Sequence, residues 1–444
     1  MNTLDKYMKE QSVSNQSMKD SGIEWIGKIP IDWNIKKLKR CIIEINEKNN
    51  PVKMTNVLSL TKDKGVIPYE NKGNQGNKSK EDLTQYKIAY KDTIIANSMN
   101  VIIGSVGISN YNGCVSPAYY VFKSNEENDL RFINYIFQTE SFQKQLRRYA
   151  NGILEIRLRI SFENLLSQQI PTPSLNEQRK IADFLDNEIE SIDKLITNTQ
   201  NLIEEYESYK TALITQTVTH GLNPDVEMKD SGFGYLGVIP SHWDVVPLKY
   251  LGSCINGISK GAKYFGSGFA FVSYSDVYKN YELPSAVCGL VESSQKERDT
   301  YSVEYGDVFF TRTSETKEEV AFSSTCLSSI DNATFAGFLI RFRPYNMNRL
   351  LPEFSKYYFR SNIHRNYFIK EMNLVTRVSL SQELLKKLPV LLPPLSEQKK
   401  IVEYLDSKIN SIDNIISNKE NLISELEDYK KSLIFEYTTG KKRV

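Results

Sequence analysis

From Asn176 to Val218 apolar residues recur at steps of three and four, with no Gly or Pro before Gly221, and this run limits the possible folds more than any other. Ile170-Pro171-Thr172-Pro173-Ser174 stops the preceding strand and caps the helix that starts there, and Glu177 and Asp183 put acid where a helix N-terminus favours it. The seam passes through Ile181, Leu185, Ile189, Ile192, Ile196, Ile203 and Tyr206, with Thr199 its polar position and a flanking row at Leu195, Leu202 and Tyr209. From Leu185 onward it is close to a heptad repeat. A helix of about 40 residues spans roughly 60 Å, more than the width of a small domain. Its apolar side therefore needs a partner.

The same chain supplies one. Pro393-Pro394-Leu395-Ser396-Glu397-Gln398-Lys399-Lys400-Ile401 repeats Pro173-Ser174-Leu175-Asn176-Glu177-Gln178-Arg179-Lys180-Ile181 at an offset of 220. The seam continues as Leu405, Ile409, Ile412, Ile416, Ile423 and Leu426, with Lys419 polar where Thr199 is. One copy alone is compatible with a surface helix on a core, whereas duplication with the same polar break favours two helices packed antiparallel. A second repeat, at an offset of 210, matches Met18-Lys19-Asp20-Ser21-Gly22 with Met228-Lys229-Asp230-Ser231-Gly232, and Gly27, Pro30, Trp33 and Leu38 with Gly237, Pro240, Trp243 and Leu248. Each half thus reads as arm, globular region, long helix. The expected boundaries are 1–170, a first globular domain with its arm; 171–220, a helix; 221–390, a second globular domain with its leading arm; and 391–444, a helix and tail.

Within the globular regions, Val57–Leu60, Ile88–Tyr90, Thr93–Ala96, Val101–Ile103 and Tyr119–Phe122 predict strands, as do Phe269–Val272, Val308–Phe310 and Phe338–Ile340. Arg131–Tyr149 and Phe354–Phe368 predict helices. A polar, basic loop spans Asn71–Lys78, and a second spans Arg312–Lys317. The net charge of +2 hides an uneven spread: between Pro171 and Thr219 nine acids face four bases, which leaves the preceding region basic. No apolar run approaches the roughly 18 residues of a membrane helix. The N-terminus lacks the apolar core of a signal peptide, and the five cysteines show no paired spacing, so a cytoplasmic protein without disulfide framework or zinc site is expected.

The arm "MKDSGIEWIGKIPIDW" followed by the helix opening "PPLSEQKKIVEYLDSKINSID", each present in two copies, resembles the specificity subunit of type I restriction–modification systems. The resemblance covers essentially the whole chain. It implies an α+β fold of two target recognition domains with pseudo-two-fold symmetry, separated by two long helices in an antiparallel coiled coil. It also implies a subunit without catalysis of its own, in which each domain reads one half of a bipartite double-stranded DNA target. The expected partners are two modification subunits, which use S-adenosylmethionine to methylate adenine N6, and restriction subunits, which use ATP and Mg to translocate and cut. No cofactor is expected in this chain, and no membrane.

The residues agree with that role. There is no GxxxxGK[ST] phosphate loop and no Asn/Asp-Pro-Pro-aromatic run. His220, His242 and His364 are far apart, and Pro224-Asp225 with Glu227-Met228-Lys229 echoes a nuclease signature compressed into one linker. Side chains suited to phosphates and base edges are Lys72, Asn74, Gln75, Asn77, Lys78, Asn97 and Asn100 in the first half, and Lys260, Lys263, Arg312, Ser314 and Lys317 in the second. Arg157 and Arg377, again 220 apart, suit a phosphate or a bridge to an acid of the coil. Readers held on one face of a duplex predict half-sites about one turn, roughly 10 base pairs, apart. The competing readings are a self-contained methyltransferase–nuclease fusion and a coiled-coil scaffold without DNA.

Overall fold

The structure of the chain is a computed structural model that describes residues 17–61, 65–73, 82–151, 158–314, 321–371 and 378–444. The first half begins with β1 (Met18–Asp20), β2 (Lys28–Pro30), β3 (Asn34–Lys37), β4 (Ile42–Glu44), β5 (Leu58–Thr61) and β6 (Gly65–Pro68). It continues with β7 (Lys87–Ala89), β8 (Ile94–Asn97), β9 (Val106–Ile108), β10 (Gly113–Val115) and β11 (Tyr119–Ser124). Then come α1 (Leu130–Gln138), α2 (Glu140–Arg148), α3 (Phe162–Ser167), β12 (Gln169–Thr172) and the 46-residue α4 (Leu175–His220). The second half opens with β13 (Met228–Asp230), β14 (Val238–Pro240), β15 (Asp244–Pro247), β16 (Gly252–Asn256), β17 (Phe265–Val272), α5 (Tyr274–Lys279), β18 (Leu290–Val291) and α6 (Gln295–Thr300). After these lie β19 (Val308–Thr311), β20 (Thr313–Ser314), β21 (Ser323–Thr325), β22 (Thr334–Phe335), β23 (Leu339–Pro344), α7 (Pro352–Tyr358) and α8 (Ile363–Glu371). The half closes with β24 (Val378–Ser379), α9 (Gln382–Lys386), β25 (Pro389–Leu392) and the 44-residue α10 (Leu395–Thr438).

Two compact units result: Met1–Thr199 with Glu420–Val444, and Gln200–Lys419. Each holds a stretch of both long helices. Each is also built on an antiparallel four-stranded sheet of the same order, β4-β11-β8-β9 in the first and β16-β23-β19-β21 in the second. The central strands read as unbroken apolar runs because both faces are covered. Alternate residues divide between two cores: Ile94 and Ala96 point to the core shared with α1, α2 and the helices, while Ile95 packs with Leu58, Leu60 and Val66 of the β5–β6 hairpin. In the second unit Val308 and Phe310 take one side and Phe309 the other.

The arms fold as hairpins, β1 with β2 and β13 with β14, and the tryptophans just after them, Trp33 and Trp243, are fully buried. Immediately ahead of each long helix a strand returns to the arm, β12 onto β3 and β25 onto β15. The glutamine of each Glu-Gln pair then fixes the helix to its domain. Gln178, 1% exposed, donates from Nε2 to the Pro173 carbonyl (2.9 Å) and to Asn128 Oδ1 (3.2 Å), and accepts from the Asp129 N–H (2.9 Å) at the start of α1. Gln398 donates to the carbonyls of Pro393 (2.9 Å) and Arg349 (3.0 Å), and accepts from the Leu351 N–H (2.9 Å) at the start of α7.

Within the first unit, α10 runs back along α4: Lys430 reaches Asp193 (2.6 Å) and Tyr437 packs on Phe184 (4.5 Å between ring centroids). Within the second unit, Lys210 of α4 reaches Asp413 of α10 (2.5 Å). The pairing is antiparallel in both. Every residue of the expected seam is buried or half-buried: Leu185, Ile189, Ile192, Ile196 and Ile203 on α4, and Leu405, Ile409, Ile412, Ile416 and Ile423 on α10. The flanking row is not. Leu195, Leu202 and Tyr209 are 40–56% exposed, as are their counterparts Ile415, Leu422 and Tyr429 at 37–47%.

Both helix ends stop at a glycine against a tryptophan. Gly221 (φ +76°) lies where a Cβ would stand 2.8 Å from Glu397 and 3.3 Å from Trp243, and Gly440 (φ +71°) where one would collide with Pro30 and stand 3.1 Å from Trp33. Beyond Gly440, Lys441 donates to the Ile26 carbonyl (2.8 Å), and Arg443 pairs with Asp32 and with Glu177 (3.2 Å). In the second unit the matching Glu397 instead accepts from Trp243 Nε1 (3.0 Å) and meets His242 (2.8 Å).

Three expected elements differ. Val101–Ile103 is a 3-10 turn, not a strand, because the carbonyls of Asn97 and Asn100 turn the chain by accepting from the N–H groups of Asn100 and of Ile103 and Ser105. The helix expected over 131–149 breaks at Thr139, whose backbone is extended and whose hydroxyl binds the Ile136 carbonyl (2.8 Å). The helix expected over 354–368 is two, α7 and α8. Among the described residues no helix is long and apolar enough to cross a membrane.

Candidate nucleic-acid interface

Equivalent sheet registers show which loops correspond. Tyr119 faces Asn97 in the first sheet and Leu339 faces Thr311 in the second, so the segments after Asn97 and after Thr311 leave the same edge of the same strand. The segments that carry Asn97 and Asn100, and Arg312 and Ser314, the contacts predicted from sequence, therefore occupy one structural place in two settings.

The same edge receives the stretch that leads to α3 or α9. In the first unit the Ser98 carbonyl accepts from the Ile160 N–H (3.1 Å), and Asn151 and Arg159 exchange backbone hydrogen bonds of 2.9 Å. In the second the Arg312 carbonyl accepts from the Leu380 N–H (2.7 Å), and β20 pairs with β24. Arg157 and Arg377 lie outside the described residues, as do Asn74, Gln75, Asn77, Lys78 and Lys317.

The described candidates differ in what they present. Asn97 is 8% exposed, and its side-chain oxygen accepts from the Met99 N–H (3.1 Å), so it shapes the turn; Asn100 is exposed. Lys72 ends a short 3-10 turn after β6, its ammonium 5.1 Å from the centre of the Tyr69 ring. Lys260 is bound within the chain: its Nζ lies 2.9 Å from Glu297, which also closes the capping box of α6 with Ser294. Lys260 first and the Ser294 bonds second hold the Glu297 carboxyl down at about 2, so Glu297 stays ionised throughout the neutral range. Lys263 is exposed beside Tyr264 (5.0 Å). Arg312 is half-exposed, and β20 places the backbone of Ser314 on β24.

Sequence reasoning missed a cationic and aromatic group at this edge of the second unit. The guanidinium groups of Arg360 and Arg365 each stand 4.2 Å from the centre of the Phe322 ring, Phe322 accepts from the Thr311 N–H (2.8 Å), and Tyr274 donates to the Thr313 carbonyl (2.9 Å). Arg360 also donates to the carbonyls of Val277, Tyr278 and Ser323; burial pushes it down to about 10, which leaves it charged. In the first unit Lys87, held below its usual value by burial, has its ammonium 5.6 Å from the centre of the Tyr120 ring, and Arg159 is exposed nearby. The one sequence signal for these was an Arg spaced among aromatics in "YYFRSNIHRNYF". Its meaning depends on α5 and β21, which are remote in sequence.

Among the described residues no group of three His, Cys, Asp or Glu is placed to hold a metal. What the loop edges offer is positive charge, amides and planar rings, the groups that bind phosphates, base edges and base faces.

The profile of the type I restriction modification DNA specificity domain matches residues 30–205 and 240–427, each time from the arm through the sheet into the long helix. The specificity subunit of the type I restriction enzyme StySPI from Salmonella potsdam is 23% identical over 266 residues, 60% of this chain and 56% of that protein. The putative specificity subunit MjaX from Methanocaldococcus jannaschii is 23% identical over 94% of this chain and 96% of its own length. A solved chain from work on complex assembly and conformational transition of the type I R-M system has the same fold, with a TM-score of 0.70 at 15% identity over 93% of this chain and 99% of that one. With its profile matched in two copies over most of its length, the chain belongs to the type I restriction modification DNA specificity domain family.

Proposed function

We propose that this chain is the DNA-specificity subunit of a type I restriction–modification complex. Each domain reads one half of a bipartite duplex target, and the chain thereby directs adenine-N6 methylation and restriction by partner subunits. The observation that carries the reading is the duplicated sheet whose equivalent edge bears different residues in each copy, Ser98 to Asn100 in one and Arg312 to Ser314 in the other. One frame with two loop sets suits a target of two unlike halves.

In this reading the chain performs no catalysis. S-adenosylmethionine belongs to two modification subunits, and ATP with Mg to restriction subunits. The exposed residues Leu195, Leu422 and Tyr429 of the first unit, and Leu202, Tyr209 and Ile415 of the second, are where modification subunits dock. Methylation profiling of DNA from cells that express the chain with its modification subunit tests the reading. The expected result is new adenine methylation at two short motifs separated by a constant unread gap. One continuous motif, or no new mark, overturns it.

A further inference from the structure

We propose that Phe338 is a base-contacting residue of the second domain, set beside Arg312 to read that domain's half of the target. The inference rests on the DNA-reading function above and adds a determinant of specificity to it.

Phe338 is 65% exposed, whereas the phenylalanines of the adjoining strands, Phe309, Phe310 and Phe342, are at most 1% exposed. Hydrophobicity alone would bury such a ring. The turn that carries it keeps it out. The Phe338 carbonyl accepts from the Arg312 N–H (2.9 Å), the Leu339 N–H donates to Ala336 (2.9 Å), and the Gly337 N–H donates to Ile258 (2.8 Å). Gly337 approaches Ser259 so closely that a Cβ would collide with its hydroxyl. With its backbone fixed, the residue has only its side-chain torsions left to order on contact, which keeps the entropic cost small.

The place and the company of the ring point to nucleic acid. Residue 338 immediately precedes β23 at the sheet edge where the candidate loops emerge, and its backbone is bonded to that of Arg312. An arginine fork matches the O6 and N7 acceptors of guanine, and a phenyl ring packs on a thymine methyl or a base face. Side chains that start from bonded backbone positions reach the same or adjacent base pairs. By sheet register the first domain has Ala118 and Ser98 at these two positions. The contact therefore belongs to one half of the target.

The test is selection from randomised duplex DNA by the full chain, comparing wild type, Phe338→Ala and, as a control, Tyr345→Ala. Tyr345 is 71% exposed and lies just beyond the other end of β23. Phe338→Ala is expected to lose base preference at one or two adjacent positions of one half-site and to bind the wild-type selected duplex about tenfold or more weakly. The other half-site and the slope of affinity against salt stay unchanged. Tyr345→Ala is expected to select the wild-type motif. The inference is overturned if Phe338→Ala selects the wild-type motif with wild-type affinity, or if both variants lose the same positions. Wild-type chain that selects nothing overturns the DNA-reading function itself, and the inference with it.

Discussion

Lys430 Nζ lies 2.6 Å from Asp193 Oδ1, and the same bond is made again between Lys210 and Asp413 at 2.5 Å. Asp413 stands 220 positions after Asp193, and Lys430 stands 220 after Lys210, so each helix gives the acid once and the base once. Apolar seams of Ile and Leu tolerate sliding by a heptad, whereas a charge pair in matching positions penalises it. These partly exposed pairs act on register more than on stability.

Reversing one member, as in Asp193→Lys, is therefore expected to lower the stability of the chain by only about 0.2–1 kcal/mol. The double reversal Asp193→Lys with Lys430→Asp is expected to restore it. Thermal unfolding of the three variants at low salt measures this, and the differences shrink as salt is added.

Gln398→Leu is a far harsher change. It takes from the Arg349 and Pro393 carbonyls and the Leu351 N–H a partner that is itself wholly buried. A loss of about 3 kcal/mol or more is expected from these orphaned groups. Urea unfolding should show it, with hydrogen exchange rising first at the start of α7. Gln178→Leu is expected to do the same at α1.

The His364 ring is 2% exposed, set 4.5 Å from the Tyr358 ring and 5.9 Å from that of Phe359. Burial drives its pKa from 6.5 to about 3, against a small opposing pull from the Tyr358 carbonyl. With the folded value below the unfolded one, the unfolded chain takes up the proton first. The stability is whole above pH 6.5 and falls as the pH drops from there toward about 3, with a slope approaching 1.4 kcal/mol per pH unit. His364→Leu should flatten the melting temperature of the second unit between pH 6.5 and 4 relative to wild type.

Asp307, wholly buried, receives a two-pronged bond from Arg343 (2.6 Å from each nitrogen) and lies 4.0 Å from Arg341. Burial raises its carboxyl pKa and the Arg343 hydrogen bonds oppose the rise. Asp307→Ala removes the buried carboxylate from both arginines, leaving Arg343 with Glu304 (2.9 Å) and Arg341 with the Ser302 carbonyl (2.6 Å), and a cost of about 3 kcal/mol is expected in chemical unfolding.

Leu202→Asp with Leu422→Asp tests the docking rows. Both side chains are about two-fifths exposed, so the melting temperature should change little. Co-purification with the modification subunit and methylation in cells should both be lost.

The long helices were legible because their signal is local. Seam spacing, the Pro-Ser and Pro-Pro starts and the stop at Gly221 need no knowledge of the rest of the chain. The arms and the duplicated sheets came from repetition. Less visible was anything settled by residues remote in sequence. Lys260 looked like a free basic contact until Glu297, 37 positions away, was found bound to it. Leu195, Leu202 and Tyr209 have the period of a second seam, and only the packing shows that α4 turns them outward. Phe338 reads as the first residue of a strand, whereas it is 65% exposed in a turn whose backbone is bonded to Arg312 and Ile258, both remote in sequence. The candidate contacts at 74–78, 157, 317 and 377 lie outside the described residues.

The tail beyond Gly440 does at the first arm what an unbroken peptide does at the second. Lys441 and Arg443 clasp residues 26–32, while Gly221 passes covalently through a short link into β13. Each arm is thus held at the end of a long helix, the second through the peptide chain and the first through side chains, so added salt weakens the first attachment and leaves the second intact.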